Sequence, residues 1–363
     1  STYSDNAGGK VLDGEAGKNS FVFGGDTGTD EVSQYDLRNW QSVTKGGTGT
    51  WTASKDLLVS SDSATDEDPN TGREAVGSAM ASDWTVKNGK LVLLTDNAGF
   101  SGTGSTMTVA DKGTLALGDG TTTNGSLSGT IKNSGLVTMD HAGDWTYGTD
   151  DQHITGTGAV DVQSTTALEG TQDYTGTTTV EQEARADVGG DYSSSPFDVK
   201  GTVAEHGNGV VGSTHIENGG VLDATGSKQT FEIAGNYTAD AGSILRISGT
   251  GAEGSNNGGD ANLASNLVHA TGTATLNGGV VDFTVSGNSL MNVGNIYTLV
   301  SADKGVTGAY SELSTNVSAK DSWYKPVLDY TMKDYVRIVL VKNGDMNDNG
   351  GSGNQSNTGG AVT

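Results

Sequence analysis

The chain has 363 residues, with 57 Gly, 3 Pro, no Cys and a formal net charge of −24. That acidity argues against a nucleic-acid partner and against simple electrostatic docking on an anionic bilayer, since both need a basic surface. High Gly with so little Pro argues against collagen and a disordered linker and fits tight turns between short strands, while a long stacked core needs no disulfide staples.

Residues 1–20 are polar, Gly-rich and unpatterned, and read as an irregular lead-in. No signal-peptide pattern stands at Ser1, so a mature, trimmed or cloned form is expected. No apolar run reaches the ~18 residues of a transmembrane helix. Alternation begins at Phe21, and 37–59 reads as three strands separated by turns. The acidic stretch 60–80 reads as a loop or short helical excursion, with candidate binding residues Asp66, Glu67, Asp68 and Arg73. Such a run can hold a cation or meet a basic partner, but is more often a solvated loop.

A short phrase then recurs: a Gly followed by alternating apolar and polar residues. It stands at Gly89, Gly113, Gly135, Gly158, Gly220, Gly242 and Gly279. Consecutive gaps of 24, 22 and 23, and again 22 from Gly220 to Gly242, mark turn-strand units of one rung each. One rung cannot bury its own apolar face, so stacking must do it. The gap of 62 from Gly158 to Gly220 predicts a rung lacking its Gly at 177–188, with Glu183 in the turn. The remaining long gaps predict insertions at 190–209 and 249–264, projecting as loops. Residues 21–280 are thus rungs with insertions. Residues 281–342, with longer strands and more aromatics, read as a hairpin-containing cap, and 343–363 as a flexible linker.

LRNWQSVTKGGTGTWTAS (37–54), ITGTGAVDVQSTTALEGTQDYTGTTTVE (154–181) and IYTLVSADKGVTGAYSEL (296–313) with DYTMKDYVRIVLV (329–341) together resemble passenger domains of bacterial autotransporters. The resemblance covers most of 30–341. It implies an all-β, right-handed parallel β-helix with projecting loops and a C-terminal β-hairpin cap of autochaperone type. It implies export to the bacterial cell surface through an outer-membrane barrel, so the chain reads as a passenger cut before its translocator, reaching the membrane only through that barrel. The expected function is an adhesin or self-association protein acting in aggregation or biofilm. Its partner would be a host-cell or bacterial surface ligand, protein or glycan, or a second copy. The alternative is a stalk presenting an upstream enzymatic domain.

No catalytic constellation stands out, and no cofactor is expected. GGDTGTD (24–30) approaches a serine-protease segment, but Thr27 replaces the nucleophile and a turn is the better reading. Asp345, Asn347 and Asn349 match the first half of an EF-hand loop, but Ser356 stands where the bidentate Glu belongs, and a solvated linker is preferred. None of the five His forms a close ligand pair in sequence, although His141 and His153 lie half a rung apart. Trp40, Trp51, Trp84, Trp145 and Trp323 could form a sugar-stacking stripe, but core plugs are the better reading for most. Trp145, with Tyr147, lies in a polar turn and is expected to be the most exposed, which makes both binding candidates.

Overall fold

A computed structural model of the chain describes residues 2–6, 9–68, 73–149, 151–226, 230–251 and 261–344. Among them there is no α-helix, and nearly all neighbouring strands pair in parallel. The register resolves the architecture into a three-sided parallel β-helix.

The second side shows the stacking most clearly. Its strands run Thr29–Glu31, Thr50–Ala53, 90–93, 114–117, Leu136–Met139, Ala159–Val162, Thr178–Val180, Phe197–Val199, 214–216, 237–239, Ala274–Asn277 and Val306–Ala309. Alternate residues point inward, so Leu93, Leu117, Met139, Val162, Val180, Val199, Ile216 and Ala239 form one buried column. A parallel column of Leu91, Leu115, Val137 and Val160 lies beside it. Each fully buried aliphatic side chain contributes about 1.5–3 kcal/mol. The third side is an eight-stranded sheet from Trp145–Tyr147 to Glu312–Thr315.

The recurring Gly has a steric cause. A Cβ on Gly113 would lie 2.1 Å from the Val86 carbonyl oxygen, and one on Gly135 2.2 Å from that of Ala110. The corner of each rung rests on the carbonyl of the rung before it, leaving no room for a side chain. Glu183 occupies the Gly-less corner predicted for it, with φ of +71°.

Rung length is not constant. The column from Leu91 through Leu115 and Val137 to Val160 advances by 24, 22 and 23 residues. From Val160 through Thr178 and Phe197 to Thr214 it advances by 18, 19 and 17. Residues 190–209 are therefore not an insertion. They hold Asp191–Tyr192, Phe197–Val199 and Thr202–Glu205, one on each side of an ordinary short rung. Short turns, not an inserted loop, account for the spacing.

Both ends also differ from expectation. Residues 1–20 are only partly irregular: Thr2–Asn6 and Gly9–Asp13 pair antiparallel, the second strand pairs in parallel with Tyr35–Arg38, and 14–19 carry no regular structure. The described residues of the excursion at 60–80 are two antiparallel strands, Val59–Asp68 and Arg73–Ala79, and 69–72 lie outside the described residues. Of the predicted insertion 249–264, residues 252–260 lie outside the described residues. Rung strands continue past 281 to Glu312–Thr315, so the cap proper is the hairpin Tyr324–Asp329 with Tyr335–Lys342. Its second strand lies antiparallel on Asn295–Ala302, where Val336 and Ile338 are fully buried. This covers the last strand of that side, while Val306–Ala309 and Glu312–Thr315 end the other two.

Aromatic side chains fill the first rungs. Phe21 meets Trp40 at 5.3 Å between ring centroids, and Phe23 meets Trp51 at 4.8 Å. Beside them Lys45 is buried. Its ammonium donates to the carbonyls of Gly46, Gly47 and Asn88 at 2.6, 2.9 and 3.0 Å. Burial lowers its pKa, against the pull of Asp26.

Candidate interaction surface

The sequence candidates scatter. Tyr147 is fully buried on the third side, stacked by register over Leu168, so it is a core residue and no binding group. Burial pushes its hydroxyl pKa far up. Trp145 is only partly exposed and lies flat on His141 at 3.8 Å, while Trp323 is the exposed tryptophan at 68 %. Trp40, Trp51 and Trp84 are buried. His141 and His153 do not pair: the His141 Nδ1 faces the Thr123 carbonyl at 3.1 Å, and His153 faces Asp173 at 3.1 Å. Burial lowers the His141 pKa.

Asp66, Glu67, Asp68 and Arg73 lie on the two strands of the 59–79 hairpin, with Glu67 opposite Glu74 and Asp68 opposite Arg73. The hairpin base is tied to the stack by Asp62, which accepts from Asn39 at 2.6 Å and faces Arg38 at 3.5 Å. Asp345, Asn347 and Asn349 lie outside the described residues. Among the described residues no group of three or more His, Asp or Glu is arranged to hold a metal ion.

The structure does bring together a set of groups that the sequence hid. On the outer face of the second side, register aligns Asp161, Thr179, Asp198, His215, Thr238, Thr275 and Thr307 in one row, while Thr138, next in register, is buried. Beside it, Glu181, Lys200, Glu217 and Asp240 occupy equivalent corner positions. Each donates its backbone N–H to the rung before, to the carbonyls of Val162, Val180, Val199 and Ile216 respectively. The two rows form an acidic strip in which Lys200 and His215 are the basic members.

The strip's electrostatics follow from crowding. Burial, then the charge of Glu181, raises the Asp161 pKa. Burial, then the charge of Asp198, raises that of Glu217. Lys200 contacts Glu181 at 3.2 Å, and this hydrogen bond raises the lysine pKa. At His215 burial disfavours the charged ring, but Asp240 and Asp198 outweigh it and raise the pKa.

The third side carries its own ladder. Arg185 bonds Asp187 at 2.8 Å and reaches across Ala204 to Asp223 at 3.0 Å. Arg246 lies 3.9 Å from Asp223 and 3.6 Å from Asp282. Burial would raise the Asp223 pKa, but hydrogen bonds from Thr225 and Arg185 hold it below the ordinary range. Between the two sides lies a shallow recess of about 350 Å³, lined by Glu183, Arg185, Lys200, Glu217 and Asn218.

Chemically, this is a repeating array of hydroxyls and carboxylates at one group per rung, about 4.8 Å apart. It suits multipoint hydrogen bonding and cation-bridged contact with an extended partner. The signal for it in the sequence was the rung register itself, which requires every rung length to be known. No protein-family model matches the chain, and no curated protein matches it significantly.

Proposed function

We propose that the chain is a bacterial cell-surface passenger acting as an adhesin or self-association protein, with the second side as its contact surface. The observation that carries this reading is the unbroken outward row from Asp161 to Thr307, flanked by Glu181, Lys200, Glu217 and Asp240. A flat array repeated at rung spacing fits an extended partner, such as a glycan, a host-surface protein or a second copy. The sequence resemblance to autotransporter passengers supports the location.

A surface at −24 repels its own copy, so self-association requires screening or cation bridges. The test is display of the chain on a non-adherent bacterial cell, scoring aggregation, biofilm and host-cell binding over a range of salt. Aggregation or attachment above the empty display control supports the reading. Cells indistinguishable from that control in all three assays would refute it.

A further inference from the structure

Two histidines sit where a neutral imidazole cannot satisfy its surroundings. His215 places Nδ1 3.0 Å from Asp198 Oδ1 and Nε2 2.9 Å from Asp240 Oδ2. His269 places Nδ1 2.7 Å from Glu232 Oε2 and Nε2 3.1 Å from Asp303 Oδ1. A carboxylate can only accept, and a neutral imidazole carries one N–H and one bare lone pair. In either tautomer the neutral ring therefore points a lone pair at a carboxylate. Only the imidazolium is attracted to both: at His269 it donates to both carboxylates, and at His215 it donates to Asp240 and pairs by charge with Asp198.

The carboxylates come from different rungs. Asp198 lies beside His215 on the preceding rung, and Asp240 follows the strand of the next one. Glu232 precedes His269 by one rung, and Asp303 follows the strand Asn295–Ala302 on the next. The same three-rung arrangement thus arises twice, once on the second side and once on the side holding 230–233, Leu267–Ala270 and 300–302. His153 and His206 are different: each faces a single carboxylate, Asp173 at 3.1 Å and Glu169 at 3.4 Å.

We propose that His215 and His269 are protonation-dependent clamps. Each joins three successive rungs when charged and releases one arm when neutral, so the stack between 197 and 303 tightens as pH falls and loosens as pH rises. The groups facing His215 are Asp198 and Asp240, with Glu217 and Lys200 in the same patch. Those facing His269 are Glu232 and Asp303. Both ring pKa values are raised. At His215 the two aspartates overcome burial, and at His269 the hydrogen bond to Glu232 is the largest cause.

A raised folded-state pKa fixes the sign. The clamp's contribution is complete below the ordinary histidine value of 6.5 and is lost as pH rises through the higher folded value. The side chains are 42 % and 27 % exposed, so solvent screening keeps each clamp modest. The inference rests on the fold alone and stands apart from the adhesive reading.

The test combines ring NMR titration of the whole chain with amide hydrogen exchange in 214–216, 237–239, 267–270 and 300–302, corrected for intrinsic pH dependence. His215→Gln and His269→Gln assign the rings. Both rings should titrate above 6.5. Through the same interval, exchange in these segments should rise about 1.5- to 5-fold, the range for part-exposed ion pairs. Each Gln variant should remove the step in its own segments, while 90–93 and 114–117 stay flat throughout. Rings titrating at or below 6.5, or a wild-type exchange profile matching the Gln variants, would overturn the proposal.

Discussion

The rungs around 83–139 and those around 159–216 share one topology and are held differently. In the first group the two inner columns of the second side are apolar, with Leu91, Leu115 and Val137 beside Leu93, Leu117 and Met139. In the second, Thr178 and Thr214 flank Phe197 in the inner column, and Thr178 shares a hydrogen bond of 2.8 Å with Ser195. Cross-rung ion pairs gather in and beyond this second group, from Arg185 and Lys200 through His215 to Arg246 and His269. Polar links across the outer face add to the cohesion of this second group. The same links give that face its array of charged groups.

Substitutions in each region sharpen the contrast. Gly113→Val in the first group drives a side chain into the Val86 carbonyl and should cost on the order of 3–5 kcal/mol, read as a shift in urea midpoint. A loss under about 1 kcal/mol would mean that the corner is looser than the 2.1 Å approach implies. Phe197→Ala in the second group removes the one large residue between two threonines and should cost about 3–5 kcal/mol. Leu115→Ala should fall lower, within about 2–5 kcal/mol, because its apolar neighbours can close on the space.

Lys45→Met comes next. It keeps the stem's bulk but strips three carbonyls of their ammonium donor, for a loss of about 1–3 kcal/mol. Equal stability would show that the Lys45 cation contributes nothing net. Asp223→Asn is smaller, at about 1 kcal/mol near neutral pH, and its effect should shrink in acid. The Asp223 pKa is depressed, so its contribution is present above the ordinary aspartate value and lost as pH falls through the folded one. An Asp223→Asn effect that does not change with pH would contradict the ladder. The histidine clamps are the smallest term, and their contribution runs the opposite way with pH.

How much could be read from the sequence varied in the same pattern. The Gly phrase announced the long rungs because their corners need Gly and their strands alternate over four residues. The rung at 191–205 stayed hidden because Asp191–Tyr192 and Phe197–Val199 are too short to show alternation, and Ser194, Ser195 and Pro196 look like loop. Tyr147 misled through its polar neighbours, although its spacing of two from Trp145 placed both on one face of the strand. The N-terminal strand Thr2–Asn6, TYSDN, is too polar to declare itself and is ordered by pairing with Gly9–Asp13. The two outward rows were invisible for a simpler reason. Asp198, His215 and Asp240 are 17 and 25 residues apart, and only the exact register makes them neighbours.

The most direct test of the adhesive account is attachment by cells displaying the chain with Thr179→Tyr and Thr238→Tyr on the second side, against a control with Thr146→Tyr on the third. All three positions face outward on strands and accept a β-forming residue, so the fold should survive. The account predicts that the double variant loses aggregation or host-cell binding while the control keeps it. Full attachment by the double variant, or equal loss in the control, would contradict the assignment of the second side as the contact surface.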